Sequence, residues 1–113
     1  MSPITTHILD TARGCPAQGV HIRLCQLNSE GGYSLLAEGV TDADGRIRDL
    51  LAPGSLEAAT YRMLFSTGPY FEAQGIDPFY PEAQITFVVH HPEQHYHIPL
   101  LLSPYGYSTY RGS

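Results

Sequence analysis

The hydrophobic positions of this chain recur mostly at every second residue, and turn-forming residues interrupt the pattern at short intervals. Alternation of this kind is typical of strands that bury one face. It predicts eight strands, at residues 4–9, 20–27, 33–40, 46–49, 60–66, 84–89, 96–102 and 107–111. Turns rich in glycine, proline and aspartate separate many of these segments, at 13–16, 29–32, 42–45 and 53–54. The pattern therefore predicts an all-β protein, an eight-stranded antiparallel β-sandwich.

One further segment has the features of a short helix. Residues 68–75 carry Pro69 near their start and Gly75 at their end, which is the usual placement of these residues around a helix. The following residues, 77–81, contain two prolines and are expected to be extended or turning. The sandwich is thus predicted to carry one short helix after its fifth strand.

Size and charge limit the possible functions. The 113 residues, of which 42% are hydrophobic, suit one domain spanning 1–113 with a modest core. The formal net charge of −5 argues against general nucleic-acid binding, which needs a basic face. All six cations are arginines, so chemistry that depends on a lysine, such as a Schiff base, is excluded. Charged residues make up only 15%, which favours burial of surface in an oligomer.

The two cysteines and the chain's hydropathy bear on its location. Cys15 and Cys25 are neither a CxxC pair nor a disulfide framework, and they are interpreted as free thiols in a reducing compartment. No apolar run approaches membrane-spanning length, and residues 1–4 lack the basic and apolar regions of a secretory signal. A cytoplasmic location is predicted. The peroxisome is left open, although the final Arg-Gly-Ser differs from the Ser-Lys-Leu address.

Strand alternation assigns directions to some of the six histidines, including His7 and His97. Ile8 faces the core in the first strand, so Thr5 and His7 share the face that points away from it. Ile98 and Leu100 face the core in the seventh strand, so His97 also faces away. If these two strands lie near the centre of one sheet, both imidazoles can enter one cleft. Taken singly, each is more readily explained as an ordinary surface histidine.

Two segments carry incomplete metal-binding patterns. His95 and His97 have the i, i+2 spacing of two ligands on one strand, but no carboxylate or third histidine stands at a diagnostic distance. Residues 41–46 contain acidic residues before Asp-Gly, but the full calcium-loop spacing is missing, so a turn is predicted. Arg46 follows this turn and, alone, is a solvated arginine.

The C-terminal segment is dense in tyrosine and hydroxyl residues from 103 to 110 and ends in Tyr-Arg-Gly-Ser at 110–113. Tyrosine and threonine favour strands, and no linker separates this run from the apolar residues before it. The terminus is therefore predicted to be ordered. That order would hold a guanidinium, a hydroxyl and the α-carboxylate at fixed points.

Four motifs occur in order along the chain. They are His-Ile-Leu-Asp at 7–10, Asp-Gly-Arg at 44–46, His-Tyr-His-Ile-Pro-Leu-Leu-Leu-Ser-Pro at 95–104, and Tyr-Arg-Gly-Ser at 110–113. Together they resemble the motifs of the 5-hydroxyisourate hydrolases, the transthyretin-related enzymes of urate breakdown. The similarity spans nearly the whole chain, because Tyr-Phe at 70–71 and Phe-Tyr-Pro at 79–81 also match.

The resemblance implies a transthyretin-like (prealbumin-like) sandwich that opens the six-membered ring of 5-hydroxyisourate at a cyclic amide, without metal or cofactor. It implies a catalytic trio of His7, Arg46 and His97, with Tyr110 and Ser113 as further substrate contacts. It also implies a homotetramer, a dimer of dimers with its sites in a central channel. The alternative from another class is a transthyretin-like small-molecule carrier with the same fold and no catalysis.

Overall fold

The computed structural model describes residues 1–112, which form eight strands and one α-helix. Their bounds are β1 Ile4–Asp10, β2 Cys15–Pro16, β3 His21–Leu27, β4 Tyr33–Val40, β5 Ala59–Phe65, α1 Thr67–Glu72, β6 Ala83–Val89, β7 Tyr96–Ser103 and β8 Gly106–Thr109. The all-β prediction with one short helix after the fifth strand is confirmed. Within residues 1–112, no helix has the length and apolar character that a bilayer crossing requires.

The strands form two four-stranded sheets, ordered β2-β1-β7-β8 and β4-β3-β5-β6. Every pairing between these strands is antiparallel except that of β1 with β7, which run parallel with Thr5 opposite His97. The sequence pattern had indicated antiparallel sheets throughout. Alternation reports which face a strand buries but carries no information on the direction of its partner.

One predicted strand is absent, and a short one occurs where a turn was expected. Residues 46–49 contribute a single bridge, from Arg46 to His7, and then turn away. Asp49 has a φ of 59°, a left-handed conformation that an extended strand does not contain. The C-terminal end of β1 pairs instead with β2, where Cys15 lies opposite Asp10. A two-residue strand is too short for alternation to predict.

The core lies between the two sheets and follows the alternation of their strands. In β1, buried and half-buried residues alternate along all seven positions. Each large apolar side chain buried in this way stabilises the fold by about 1.5–3 kcal/mol. The bulkiest fully buried side chains are Tyr61, Phe65, Phe71, Ile4, Ile8, Ile22, Leu24, Met63, Leu100 and Leu102.

Helix α1 is tied to the end of β1 through a buried carboxylate. The Tyr70 hydroxyl donates to Asp10 Oδ2 at 2.7 Å, and the backbone amides of Ala12 and Arg13 donate to Asp10 Oδ1 at 3.0 and 3.1 Å. Asp10 is only 1% exposed, so these donors satisfy a carboxylate that burial would otherwise destabilise. Asp10 of the first motif therefore has a structural role in the described chain.

Candidate active site

Strands β1 and β7 are neighbours at the centre of their sheet, so side chains on their outer faces come together. His7 and His97 are both half-buried and alternate with buried residues, as strand alternation predicted. Both strands lie at the centre of one sheet, which is the condition under which the two imidazoles were expected to enter one cleft. In the parallel register, His97 stands opposite Thr5 and His7 stands opposite Pro99.

A tight turn brings Arg46 to the same face. The Gly45 amide donates to the Asp42 backbone oxygen at 2.9 Å, and the Arg46 amide donates to Asp42 Oδ1 at 3.1 Å. The Arg46 backbone hydrogen bond is the largest cause of a lowered pKa at Asp42. Gly45 has a φ of 74°, and a Cβ there would collide with the backbone oxygen of Ile8. Glycine is needed for this close approach, which pins the turn against β1.

Arg46 contacts His7 directly. The guanidinium Nη2 lies 3.5 Å from His7 Nδ1, a long hydrogen bond. Arginine stays protonated at all relevant pH values, so it is the donor and the imidazole nitrogen is the acceptor. A neutral His7 that accepts at Nδ1 carries its proton on Nε2. His7 therefore presents an N–H donor on its other side.

His97 has a different electrostatic environment. Burial lowers its pKa, and Arg46, His95 and His7 lower it further through charge repulsion. A hydrogen bond to the Thr5 backbone acts in the opposite direction and is the smallest of these effects. His97 is therefore neutral near physiological pH and available as a base.

The open space around these groups consists of two adjoining clefts. One, of about 300 Å³, is lined by Met1, Thr5, Arg46, His95 and His97. The other, of about 410 Å³, shares Met1, Thr5 and Arg46 and continues along residues 47–49. Arg46 lines both clefts and His97 lines the first, whereas His7 lines neither and joins them through its contact with Arg46.

The chain end reaches His97, as the prediction of an ordered terminus required. Strand β8 ends at Thr109, but the Gly112 amide donates to the His97 backbone oxygen at 2.8 Å. A Cβ at position 112 would lie 2.5 Å from His97 Cδ2, so only glycine fits beside the ring. The neighbouring Arg111 packs on Tyr96, with its guanidinium carbon 4.3 Å from the centre of the ring, and so helps to keep the chain end against β7. Ser113 lies outside the described residues.

Tyr110 lies away from the two clefts around Arg46. Its side chain is 59% exposed and lines an apolar groove of about 280 Å³ between the edge strands β6 and β8, with Phe87 and Tyr96. It is absent from the residues that line the two clefts around Arg46. The predicted contact of Tyr110 with substrate stays a prediction.

Sequence reasoning placed Thr5 on the outward face of β1 with His7 but gave it no role. In the structure, Thr5 Oγ1 lies 2.8 Å from His97 Nδ1 and 3.0 Å from His95 Nε2. The centres of the two rings lie 6.4 Å apart, and both rings contact the same hydroxyl. The sequence indicated only that Thr5 shares the outward face of β1 with His7. It did not indicate the parallel pairing with β7, which places Thr5 opposite His97.

Within residues 1–112, no three histidine, cysteine, aspartate or glutamate side chains are grouped to hold a metal ion.

Comparisons with known proteins agree with this arrangement. Residues 4–112 match the model of the HIUase/Transthyretin family. The chain is 50% identical over 117 residues to a 5-hydroxyisourate hydrolase of Caulobacter vibrioides, covering 100% of both chains. It is 43% identical over 113 residues to that of Mus musculus, covering 99% of this chain and 96% of the relative.

Solved structures from both branches of the family have this fold. A 5-hydroxyisourate hydrolase of Klebsiella pneumoniae superposes with a TM-score of 0.84 at 39% identity, over 97% of this chain and 98% of the other. Transthyretin of Sparus aurata superposes with a TM-score of 0.93 at 38% identity, over 99% and 97%. With the fold, the motifs and nearly full-length similarity in agreement, the chain belongs to the HIUase/Transthyretin family.

Proposed function

We propose that this chain hydrolyses 5-hydroxyisourate, opening its cyclic amide to give 2-oxo-4-hydroxy-4-carboxy-5-ureidoimidazoline in urate catabolism. The observation that carries the proposal is one cleft with a neutral, half-buried His97 beside a guanidinium that also contacts His7. Relatives at 43% and 50% identity are 5-hydroxyisourate hydrolases. Amide hydrolysis needs a base, oxyanion donors and a proton for the leaving nitrogen, and these groups supply them.

His97 is proposed as the group that activates water. Thr5 occupies its Nδ1, so Nε2 is the nitrogen left for water and substrate. His97 Nε2 takes a proton as water attacks the carbonyl, and the imidazolium then returns that proton to the leaving ring nitrogen. The lowered pKa keeps the ring neutral at the start of each turnover.

Arg46 and His7 are proposed to orient the substrate and to stabilise the oxyanion. The guanidinium offers a fixed, charged fork of donors to the oxygen-rich ring. The contact between Arg46 and His7 Nδ1 leaves the His7 Nε2–H as a second donor. Both groups are in place before the substrate binds, so little reorganisation is needed as negative charge develops.

The decisive experiment follows the ultraviolet decay of freshly prepared 5-hydroxyisourate with and without the protein. Decay is expected to accelerate in proportion to protein concentration and to survive exhaustive chelation, because the proposed steps use only side chains. No acceleration would contradict the proposed activity. Loss of activity under chelator, restored by one divalent ion, would favour a metal site at His95 and His97 instead.

The carrier function remains the alternative because this chain superposes on transthyretin as readily as on a hydrolase. Fold alone does not separate the two functions. The Arg46–His7 contact and the neutral His97 favour the hydrolase, since a carrier has no need of a base in its cleft. Saturable ligand binding without turnover in the same assay would favour the carrier.

We further propose that the protein is a cytoplasmic homotetramer, a dimer of dimers, with Tyr110 and Ser113 completing substrate contacts at subunit boundaries. Three tyrosines of the C-terminal segment are exposed in the single chain, Tyr105 at 73%, Tyr107 at 40% and Tyr110 at 59%. Tyr107 lies on the edge strand β8 and the other two flank it, and exposed aromatic residues of this kind are typical of an interface core. The edge strands β6 and β8 flank the apolar groove that Tyr110 lines, which suits packing against another copy.

The proposed cytoplasmic location is supported by the cysteines. Cys15 and Cys25 are free thiols, which suit a reducing compartment.

The pH dependence of kcat/KM is expected to separate the charge of Arg46 from its shape. Arg46→Gln removes a cation that lowers the pKa of His97, so the acid limb of the profile should move to higher pH. It should stay below the range of free imidazole, because burial is the larger cause. Arg46→Lys keeps the charge and should leave the limb in place, while turnover falls at least about tenfold for lack of the fork. Identical acid limbs in all three proteins would contradict this coupling.

A further inference from the structure

The hydroxyl of Thr5 is shared by two imidazoles. Its Oγ1 lies 2.8 Å from His97 Nδ1 and 3.0 Å from His95 Nε2. A threonine hydroxyl has one proton and two lone pairs, so it can donate to only one of the two rings and must accept from any other ring nitrogen that it bonds. The tautomers of the two histidines are therefore linked, with His95 exposed and His97 half-buried.

We propose that Thr5, together with His95, is a positioning residue that keeps the proton of His97 on Nδ1 and so leaves the lone pair of Nε2 facing the cleft. This inference rests on the proposed function. In the favoured arrangement, His97 Nδ1–H donates to Thr5 Oγ1, and the Thr5 hydroxyl donates to His95 Nε2. In the reverse arrangement, Thr5 donates to His97 Nδ1, the proton of His97 sits on Nε2, and the ring is unable to accept a proton from water.

Two features of the site favour the first arrangement. Arg46 lines the same cleft as His97 and is a permanent cation, so it favours a lone pair over an N–H facing the open space. The Thr5 backbone acts to raise the pKa of His97, which is the effect of an acceptor close to a ring N–H. Both favour a proton on the Nδ1 side, where Thr5 stands.

The link stays intact as His97 is protonated during turnover. When Nε2 takes the proton of water, Nδ1–H continues to donate to Thr5 Oγ1, and no atom of the link needs to move. The parallel pairing of β1 with β7 supports this arrangement, because it sets Thr5 directly opposite His97 in the centre of the sheet. A hydroxyl held by a central strand is a more rigid partner than a loop residue or water.

A matched pair of variants tests the proposal. Thr5→Val keeps the branched shape and strand propensity but removes the hydroxyl, whereas Thr5→Ser keeps the hydroxyl. Thr5→Val is expected to lower kcat by about 10- to 100-fold with little change in KM, the usual effect of losing a partner that orients an active group. Thr5→Ser is expected to retain most of the wild-type kcat. Thermal unfolding of both variants checks that the sandwich is intact.

A second measurement needs no substrate. Nitrogen-15 NMR of histidine-labelled protein distinguishes a protonated Nδ1 from a protonated Nε2. His97 is expected to carry its proton on Nδ1 in the wild type and in Thr5→Ser, and to populate both tautomers in Thr5→Val. An unchanged tautomer and a wild-type kcat in Thr5→Val would overturn the proposal. Wild-type protein that leaves 5-hydroxyisourate unchanged would contradict the proposed function, and the NMR result reports on the link independently.

Discussion

His97→Ala is expected to lower kcat on 5-hydroxyisourate by about 10²–10⁴-fold, the usual effect of removing an acid–base group. The half-buried ring is the group whose pKa is lowered first by burial and then by the neighbouring Arg46 cation. Alanine leaves no group at this position to accept the proton of water. The same assay on His7→Ala should show a loss in that range, because a donor to the oxyanion and the partner of Arg46 are both removed.

His90→Ala provides a matched control for these variants. His90 is an exposed histidine between β6 and β7 and lines neither cleft around Arg46. Its replacement should leave turnover and thermal stability near the wild type, since exposed substitutions away from special features have small effects. Near-normal turnover in His97→Ala would contradict the assignment of the base.

A chain that ends at Thr109 is expected to keep its sandwich but to lose activity and to weaken the proposed tetramer. The deletion removes Tyr110 to Ser113, and with them the Gly112 amide that donates to the His97 backbone at 2.8 Å. It also removes the Arg111 guanidinium from the Tyr96 ring. The main core residues of β7, Ile98, Leu100 and Leu102, lie upstream and stay buried. Activity should fall because the support of His97 loosens, by up to about 100-fold for a displacement of 1 Å.

Circular dichroism, sedimentation and the ultraviolet assay separate these effects. Arg111→Met is a matched control, because it loses the contacts with Gln94 and Tyr96 but keeps the glycine beside His97. It should keep more activity than the truncated chain. A truncated protein that is tetrameric and fully active would show that the ordered terminus matters neither to the site nor to assembly.

Several features of the molecule were predictable because they depend only on local periodicity. A strand alternates its faces at every second residue, so the apolar positions around His7 and His97 determined that both point away from the core. Turn chemistry did the same for the bend before Arg46, where Asp-Gly predicts a reversal that the structure contains. Pro69 and Gly75 predicted the short helix, although it ends at Glu72, before the turn at Gly75.

Other features were beyond prediction because they depend on segments distant in sequence. Residues 46–49 alternate like a strand, yet only Arg46 pairs with β1, because Gly45 packs against Ile8 and the chain then turns at Asp49. Cys15 and Pro16 carry no strand pattern and pair because the end of β1 leaves backbone groups open beside them.

The sequence by itself thus determined the strands, the outward direction of the two histidines and the turn that carries Arg46, since each follows from neighbouring residues. The tertiary structure decided which outward residues meet. The parallel pairing of β1 and β7 set Thr5, and not His7, opposite His97. The antiparallel register of β7 with β8, continued past Thr109, brought the Gly112 backbone opposite His97. Register and strand direction result from packing two sheets around one core, and no local pattern in the chain encodes them.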